Sequence, residues 1–189
     1  MGLGQTMISV LFFALLMVMF VNAFRTLSDA DNEVMTSLAY KTAVDLGQSL
    51  MAEIVSRRYD QNFDTTTSDI NGPNQGFPGN FTAANALGPG APEAFTLPDR
   101  PPYQSLSRYN DVDDYDLYSR VTDSTNGLAP FRDSVIVYYV SMTNPPTVAS
   151  SPTWTKRIEV WVTQDTYLKR DNTNLWLKFY SIVTGYKKR

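Results

Sequence analysis

Met7 to Phe24 read MISVLFFALLMVMFVNAF, and no side chain before Arg25 carries a charge. A run of 18 such residues sits at the lower edge of what spans a bilayer as a helix, so a membrane-compatible helix is the first element expected. An ordinary secretory signal or signal-anchor opens with Lys or Arg, and none precedes Arg25. Either a basic leader has been cut away, or the run is not an ordinary signal. It also lacks a small-x-small cleavage site followed by an abrupt change to loop composition, so it is expected to stay in the mature protein.

Outward from Phe24 the helical pattern continues and becomes amphipathic. Leu27, Ala30, Val34, Leu38, Leu46, Leu50 and Ile54 recur three, four or eight residues apart, widened by Met35, Ala39, Ala43, Met51 and Val55. Arg25, Asp29, Asn32, Lys41, Asp45, Gln48 and Arg57 take the other side. No proline occurs before Pro73. One helix from near Leu3 to near Arg58 is therefore expected, roughly 80 Å long at about 1.5 Å per residue and more than twice a bilayer's apolar thickness. Gly47 costs about 1 kcal/mol relative to Ala and is the expected soft point.

After Tyr59 the composition changes. Residues 60–110 are rich in Thr, Asn, Gly and Pro without periodicity, as in Asn71-Gly72-Pro73 and Gly88-Pro89-Gly90. Such length points to a surface excursion pinned by Phe63, Phe77, Phe81 and Tyr103. The rest reads as β. Ser134–Met142, Trp154–Gln164 and Thr173–Thr184 are β-branched and aromatic, Tyr115–Thr122 is a fourth candidate, and short Pro-containing links fit an antiparallel meander. Ile158, Val160 and Val162 alternate with Arg157, Glu159, Trp161 and Thr163 as in a half-buried strand. The fold class is thus α+β: a helix over residues 1–58, apolar over 1–24 and amphipathic over 25–58, then a β-rich head over 59–189.

The 189 residues contain neither Cys nor His. Disulfides and thiolate metal sites are therefore excluded, and the commonest general base, the thiolate nucleophile and the usual zinc ligands are missing. A net charge of −3 gives no reason to expect nucleic acid. No catalytic residue and no cofactor are expected.

At its N-terminal third the chain resembles a type IV pilin or pilin-like protein, by the apolar half-helix, its amphipathic continuation and the β-rich C-terminal part. The resemblance implies a basic leader removed by a dedicated prepilin peptidase, a helix whose second half packs on a sheet head, and passage from the membrane into an extracellular filament of identical subunits through pilus assembly machinery. The family's glutamate at the fifth mature residue is absent. Counted from Met1, Leu3 falls on a usual apolar position and Gln5 on the glutamate position; counted after Gly4, Ser9 takes the fifth place. The residues then expected in assembly are Leu3, Gln5, Ile8, Leu11, Phe12, Phe13, Leu15, Leu16, Met19 and Phe20, with Ala14, Ala23 and Ser9 allowing close approach. Asn22 either bonds a neighbour's carbonyl or marks the interfacial end of the run. The other reading is a single-pass membrane protein with an extracytoplasmic β-rich binding head, in which the stripe is a coiled coil or packs on its own head.

Three smaller signals complete the reading. Asp111, Asp113, Asp114 and Asp116 form a dense acidic run, readable as a calcium loop or as a solvated acidic loop; it departs from the EF-hand spacing. Asn80-Phe81-Thr82 is an N-glycosylation triplet, a pattern that also arises by chance. The tail Tyr186, Lys187, Lys188 and Arg189 offers positive charge to acids such as Asp29, Asp31 and Glu33 of another subunit, or to solvent.

Overall fold

A computed structural model describes residues 2–62, 81–124, 127–143, 146–171 and 173–185. A single helix, α1, runs from Leu3 to Val55 without a break. The periodicity and the lack of proline dictate this, and α1 ends where Ser56 donates its backbone N–H to the Ala52 carbonyl. From Leu3 to Val34 every residue is exposed; burial begins at Met35 and is complete at Ala39, Ala43, Leu50 and Ile54. About 48 Å of helix therefore stands free of the head.

The head follows α1 in chain order. Helix α2 covers Ser105–Arg108, and a 3-10 turn lies at Asp113–Tyr115. The strands are β1 (Ser119–Val121), β2 (Phe131–Ser141), β3 (Thr147–Val148), β4 (Thr155–Gln164), β5 (Lys169–Arg170), β6 (Thr173–Asn174) and β7 (Leu177–Thr184). β1, β2, β4 and β7 lie side by side, each antiparallel to the next, with β3 added beside β2 and β5–β6 forming a separate small hairpin. The α+β architecture read from the sequence is the one adopted.

Register places Val135, Val160 and Phe179 in one row and Val137, Ile158 and Ser181 in the next. These inward rows meet α1 through Leu46, Leu50 and Ile54, and Val135, Ile158 and Val160 are fully buried. β4 departs from the half-buried strand expected, because Glu159 and Thr163 on its other face are also covered. On that outer face Glu159 binds Lys178 at 2.7 Å and Arg157 at 3.0 Å, while accepting the Tyr138 hydroxyl at 2.7 Å. A polar and aromatic ladder thus caps the sheet where no helix does.

Three further expectations change. The apolar stripe packs only in part: Leu27, Ala30 and Val34 are exposed, as is every described residue before Met35, while from Met35 on the expected residues apart from Val55 pack on the head and Gly47 joins the buried line. Gly47 is a packing contact and not a soft point, since Phe179 of β7 lies against it. A head beginning at residue 59 would lack its core helix, because the C-terminal half of α1 fills the inner face of the sheet. In the 60–110 region the part from Phe81 onward packs on the head: Phe81 is buried with Tyr59 and Tyr139, and Asp99 is buried where its carboxylate accepts the Gln104 and Ser105 amides and the Tyr118 hydroxyl. Tyr103 lies half-buried under the Arg120 guanidinium, 4.8 Å from its ring. Phe63 and Phe77 lie outside the described residues.

Candidate functional site

Two regions carry chemistry beyond ordinary packing. The first is the free part of α1. Leu3, Gln5, Ile8, Leu11, Phe12, Phe13, Leu15, Leu16, Met19 and Phe20 are all exposed, as is Asn22. The polar groups in this stretch fold back on it: Thr6 Oγ1 donates to the Leu3 carbonyl at 2.8 Å and Ser9 Oγ to the Gln5 carbonyl at 3.0 Å. Those hydroxyls are satisfied without water, as a lipid-compatible helix requires. The helix is long and apolar enough to cross a membrane by length and composition.

The second region is a buried polar centre where α1 ends. Lys156 of β4 sits two residues before Ile158 and so points inward, opposite Tyr139 of β2. Its side chain is fully buried. The ammonium donates to the Tyr59 carbonyl at 2.7 Å, to Asp60 Oδ2 at 3.1 Å and, in direct contact, to Asp113 Oδ1. The Tyr59 and Tyr139 rings flank it at 4.3 and 5.0 Å, a cation–π arrangement in a dry site. Phe81 packs on Tyr59 and on Trp154, closing the wall.

The carboxylates differ in their surroundings. Asp60 accepts the amides of Asn62 and Thr82, both at 2.9 Å, and the Tyr139 hydroxyl at 3.2 Å. Burial opposes its charge, but Lys156 and these amides outweigh burial and hold its carboxyl below the usual range. Asp113 has no amide donor among the described residues, and its Oδ2 is buried without a hydrogen-bond partner among them. Burial pushes its carboxyl up to about 7, against the pull of Lys156 and with Asp111 adding to the rise. Asp111 is likewise pushed up to about 6 by burial and by Asp114.

The acidic run is thus not a solvated loop: Asp111, Asp113 and Asp114 are at most 3% exposed. Nor do its four acids converge as calcium ligands. Asp114 Oδ2 accepts the Asn110 and Asp111 amides, and Asp116 Oδ1 accepts the Val137 amide. The acids that do approach one another are Asp60, Asp111 and Asp113, within 4.8 Å. Lys156 already places a cation between Asp60 and Asp113, while Asp111 is spent on the amides of Gln61, Asp113 and Asp114. This donor set fits an ammonium ion and not calcium.

A neighbouring network holds α1 to the head. Glu53 of α1 accepts the Tyr115 hydroxyl at 2.6 Å and the Ser105 hydroxyl at 3.2 Å, and lies 3.6 Å from Arg120, which binds Asp133 at 2.7 Å. Neither Glu53 nor Lys156 stands out by type, yet both are charges set within apolar lines, Glu53 between Leu50 and Ile54. Asn80, the tail Tyr186–Arg189 and Met1 lie outside the described residues.

Comparison with protein-family models, with curated proteins and with solved structures gives no match to this chain.

Proposed function

We propose that this chain is a pilin, the structural subunit of an extracellular type IV pilus-like filament, and that it carries no catalytic activity toward a substrate. The observation that supports this most is the free half of α1: it is the most apolar part of the chain, has no partner among the described residues, and continues without a break into a half that is locked into the head. Fourteen large apolar side chains lie between Met7 and Phe24. At about 1.5–3 kcal/mol each, exposing them to water costs on the order of 20–40 kcal/mol. Such a helix must pass from one apolar surrounding directly to another.

Lipid serves before assembly and the helices of other copies serve afterwards. A head-to-tail contact that does not close into a ring gives an open helical polymer. In this reading the partners are copies of the same chain, the cytoplasmic membrane before assembly, and the prepilin peptidase and assembly machinery that the resemblance implies. The rigid joint at Glu53 and the Gly47–Phe179 contact transmit load from the axis to the head.

The test is electron cryo-microscopy of material sheared from the surface of source cells. Helical fibres of this chain with Leu3–Phe24 at the axis support the reading. Recovery only as discrete particles in the membrane fraction overturns it in favour of a single-pass anchor with an extracytoplasmic head.

A further inference from the structure

We propose that Lys156 and Asp113 condense into an intramolecular amide, Nζ to Cγ, with Asp60 carrying the proton and one water released. The proposal does not depend on what the filament helix does.

Amide formation from an amine and a carboxylic acid needs four things at once: an amine stripped of its proton, a neutral carboxyl as electrophile, a proton carrier that touches the amine and lies near the carboxyl, as Asp60 does within 4.8 Å of Asp113, and a dry site from which the product water leaves. All four are assembled here from distant parts of the chain. Lys156 is 43 residues from Asp113 and 96 from Asp60, yet its Nζ hydrogen-bonds both carboxyls. Lys156 and Asp60 are fully buried and Asp113 is 2% exposed. The Tyr59 and Tyr139 rings close over Nζ on the remaining sides. Held this way, the two reactants meet at an effective concentration of the kind that reaches about 10⁵–10⁸ M in well-oriented intramolecular reactions.

The two carboxyls are prepared for opposite roles. Asp60 receives two amides and a tyrosine hydroxyl, which keep it ionised and so available as the proton acceptor in contact with the ammonium, though they lower its basicity. Asp113 has a bare, buried Oδ2 among the described residues, an arrangement that disfavours the anion and suits a neutral acid. Its carboxyl, raised to about 7 chiefly by burial, agrees with that geometry. One ammonium cannot balance two buried anions, and the surplus falls on Asp113. Asp111 is a positioning residue: its Oδ1 accepts the Asp113 amide at 2.8 Å and fixes the turn that presents the electrophile.

The step balances without a co-reactant. The Asp60 carboxylate takes a proton from the Lys156 ammonium, and the free amine attacks Asp113 Cγ. The tetrahedral centre loses its second N–H proton as one Cγ–O bond breaks, Asp60 relaying protons to the departing oxygen. An ammonium, a neutral carboxyl and a carboxylate become an amide, a water and a neutral Asp60, with no electron transferred. The product ties the turn at Asp113 to the central strand β4, beside the C-terminal end of α1, and joins two parts of the head that lie 43 residues apart.

The experiment is intact-mass measurement of the purified full chain in detergent, shown to be folded by circular dichroism, followed by tryptic mapping. The expected result is a mass one water below the sequence mass, with the peptide Tyr109–Arg120 joined to Asp133–Arg157 through Lys156. Folded wild-type chain at full sequence mass overturns the proposal, as does a water loss mapped to other residues. Lys156→Arg and Asp113→Ala should restore the full mass. Asp60→Asn, which keeps both reacting groups, should restore it too if folded; a joined peptide in that variant removes Asp60 from the mechanism. Because the wild-type mass alone decides the main claim, a variant that fails to fold leaves the proposal testable.

Discussion

A Cβ atom built on Gly47 of α1 would stand 2.3 Å from Cε2 of Phe179, in the β7 row that faces the helix. Glycine is thus what lets the ring lie flush on the helix backbone. Gly47→Ala gains about 1 kcal/mol in helix propensity but forces overpacking that costs about 1–3 kcal/mol. The expected net effect is a loss of about 1 kcal/mol in urea unfolding of the detergent-solubilised chain. Phe179→Leu should relieve much of the loss in the double variant; additive losses would show that the contact is not the cause.

Glu53 gives the helix–head joint its polar half. It accepts the Tyr115 and Ser105 hydroxyls and faces Arg120, which is 4% exposed. Glu53→Leu leaves those donors buried without their acceptor, at about 1–3 kcal/mol. Glu53→Gln keeps an acceptor for Tyr115 and should cost less. Equal losses for the two variants would mean that charge, and not hydrogen bonding, is what the joint needs.

Asp111 sets a pH dependence. Its carboxyl is raised from the ordinary carboxylate value to about 6 by burial and by Asp114, with Lys156 and hydrogen-bonded amides pulling the other way. Asp60 and Asp113 are the other acids beside it. A folded value above the unfolded one means that the folded state holds the extra proton. The contribution is full below about pH 4 and is lost as pH rises through about 6. While the Lys156 ammonium is free, Asp60, held below its usual value by it and by two amides, acts oppositely and weakens the fold on further acidification. The unfolding midpoint should therefore peak near pH 4 and decline toward pH 6, by at most about 1.4 kcal/mol per pH unit for the one group. An amide at Asp113 removes that residue from titration; a decline continuing through pH 7 would mark Asp113 as free.

Much of this architecture could be read from residue spacing, and the exceptions have physical reasons. α1 was legible because its apolar periodicity runs unbroken by proline, and β2, β4 and β7 because alternation there is long enough to count. β3, β5 and β6 are two residues each and have no period to detect. Counting back from Val162 through Ile158 does place Lys156 inward, so the buried cation left a trace. Its partners Asp60 and Asp113 left none, since only the folded chain closes those separations. Where along α1 the packing begins depends on how far the sheet reaches, and an apolar stripe that runs on unbroken past Val34 leaves that open.

The division of α1 into a docked and a free half yields the last prediction. Because Ala39, Ala43, Leu50 and Ile54 belong to the core, a fragment starting at residue 59 should fail to fold, while one starting near Ser28 keeps the core, omits the apolar run and should be a soluble monomer. In the full chain, Leu16→Asp or Phe13→Asp places a charge in the middle of the free half, where carrying it into an apolar bundle costs several kcal/mol per subunit. That penalty recurs at every subunit, so fibres should vanish while the head, which makes no contact with either position, keeps the unfolding midpoint of the Ser28 fragment. Negative-stain microscopy of sheared material reads the first outcome and urea unfolding the second. Fibres that persist with a charge at position 16 would mean that the polymer is held by head contacts, and that the free helix does no more than anchor the chain in lipid.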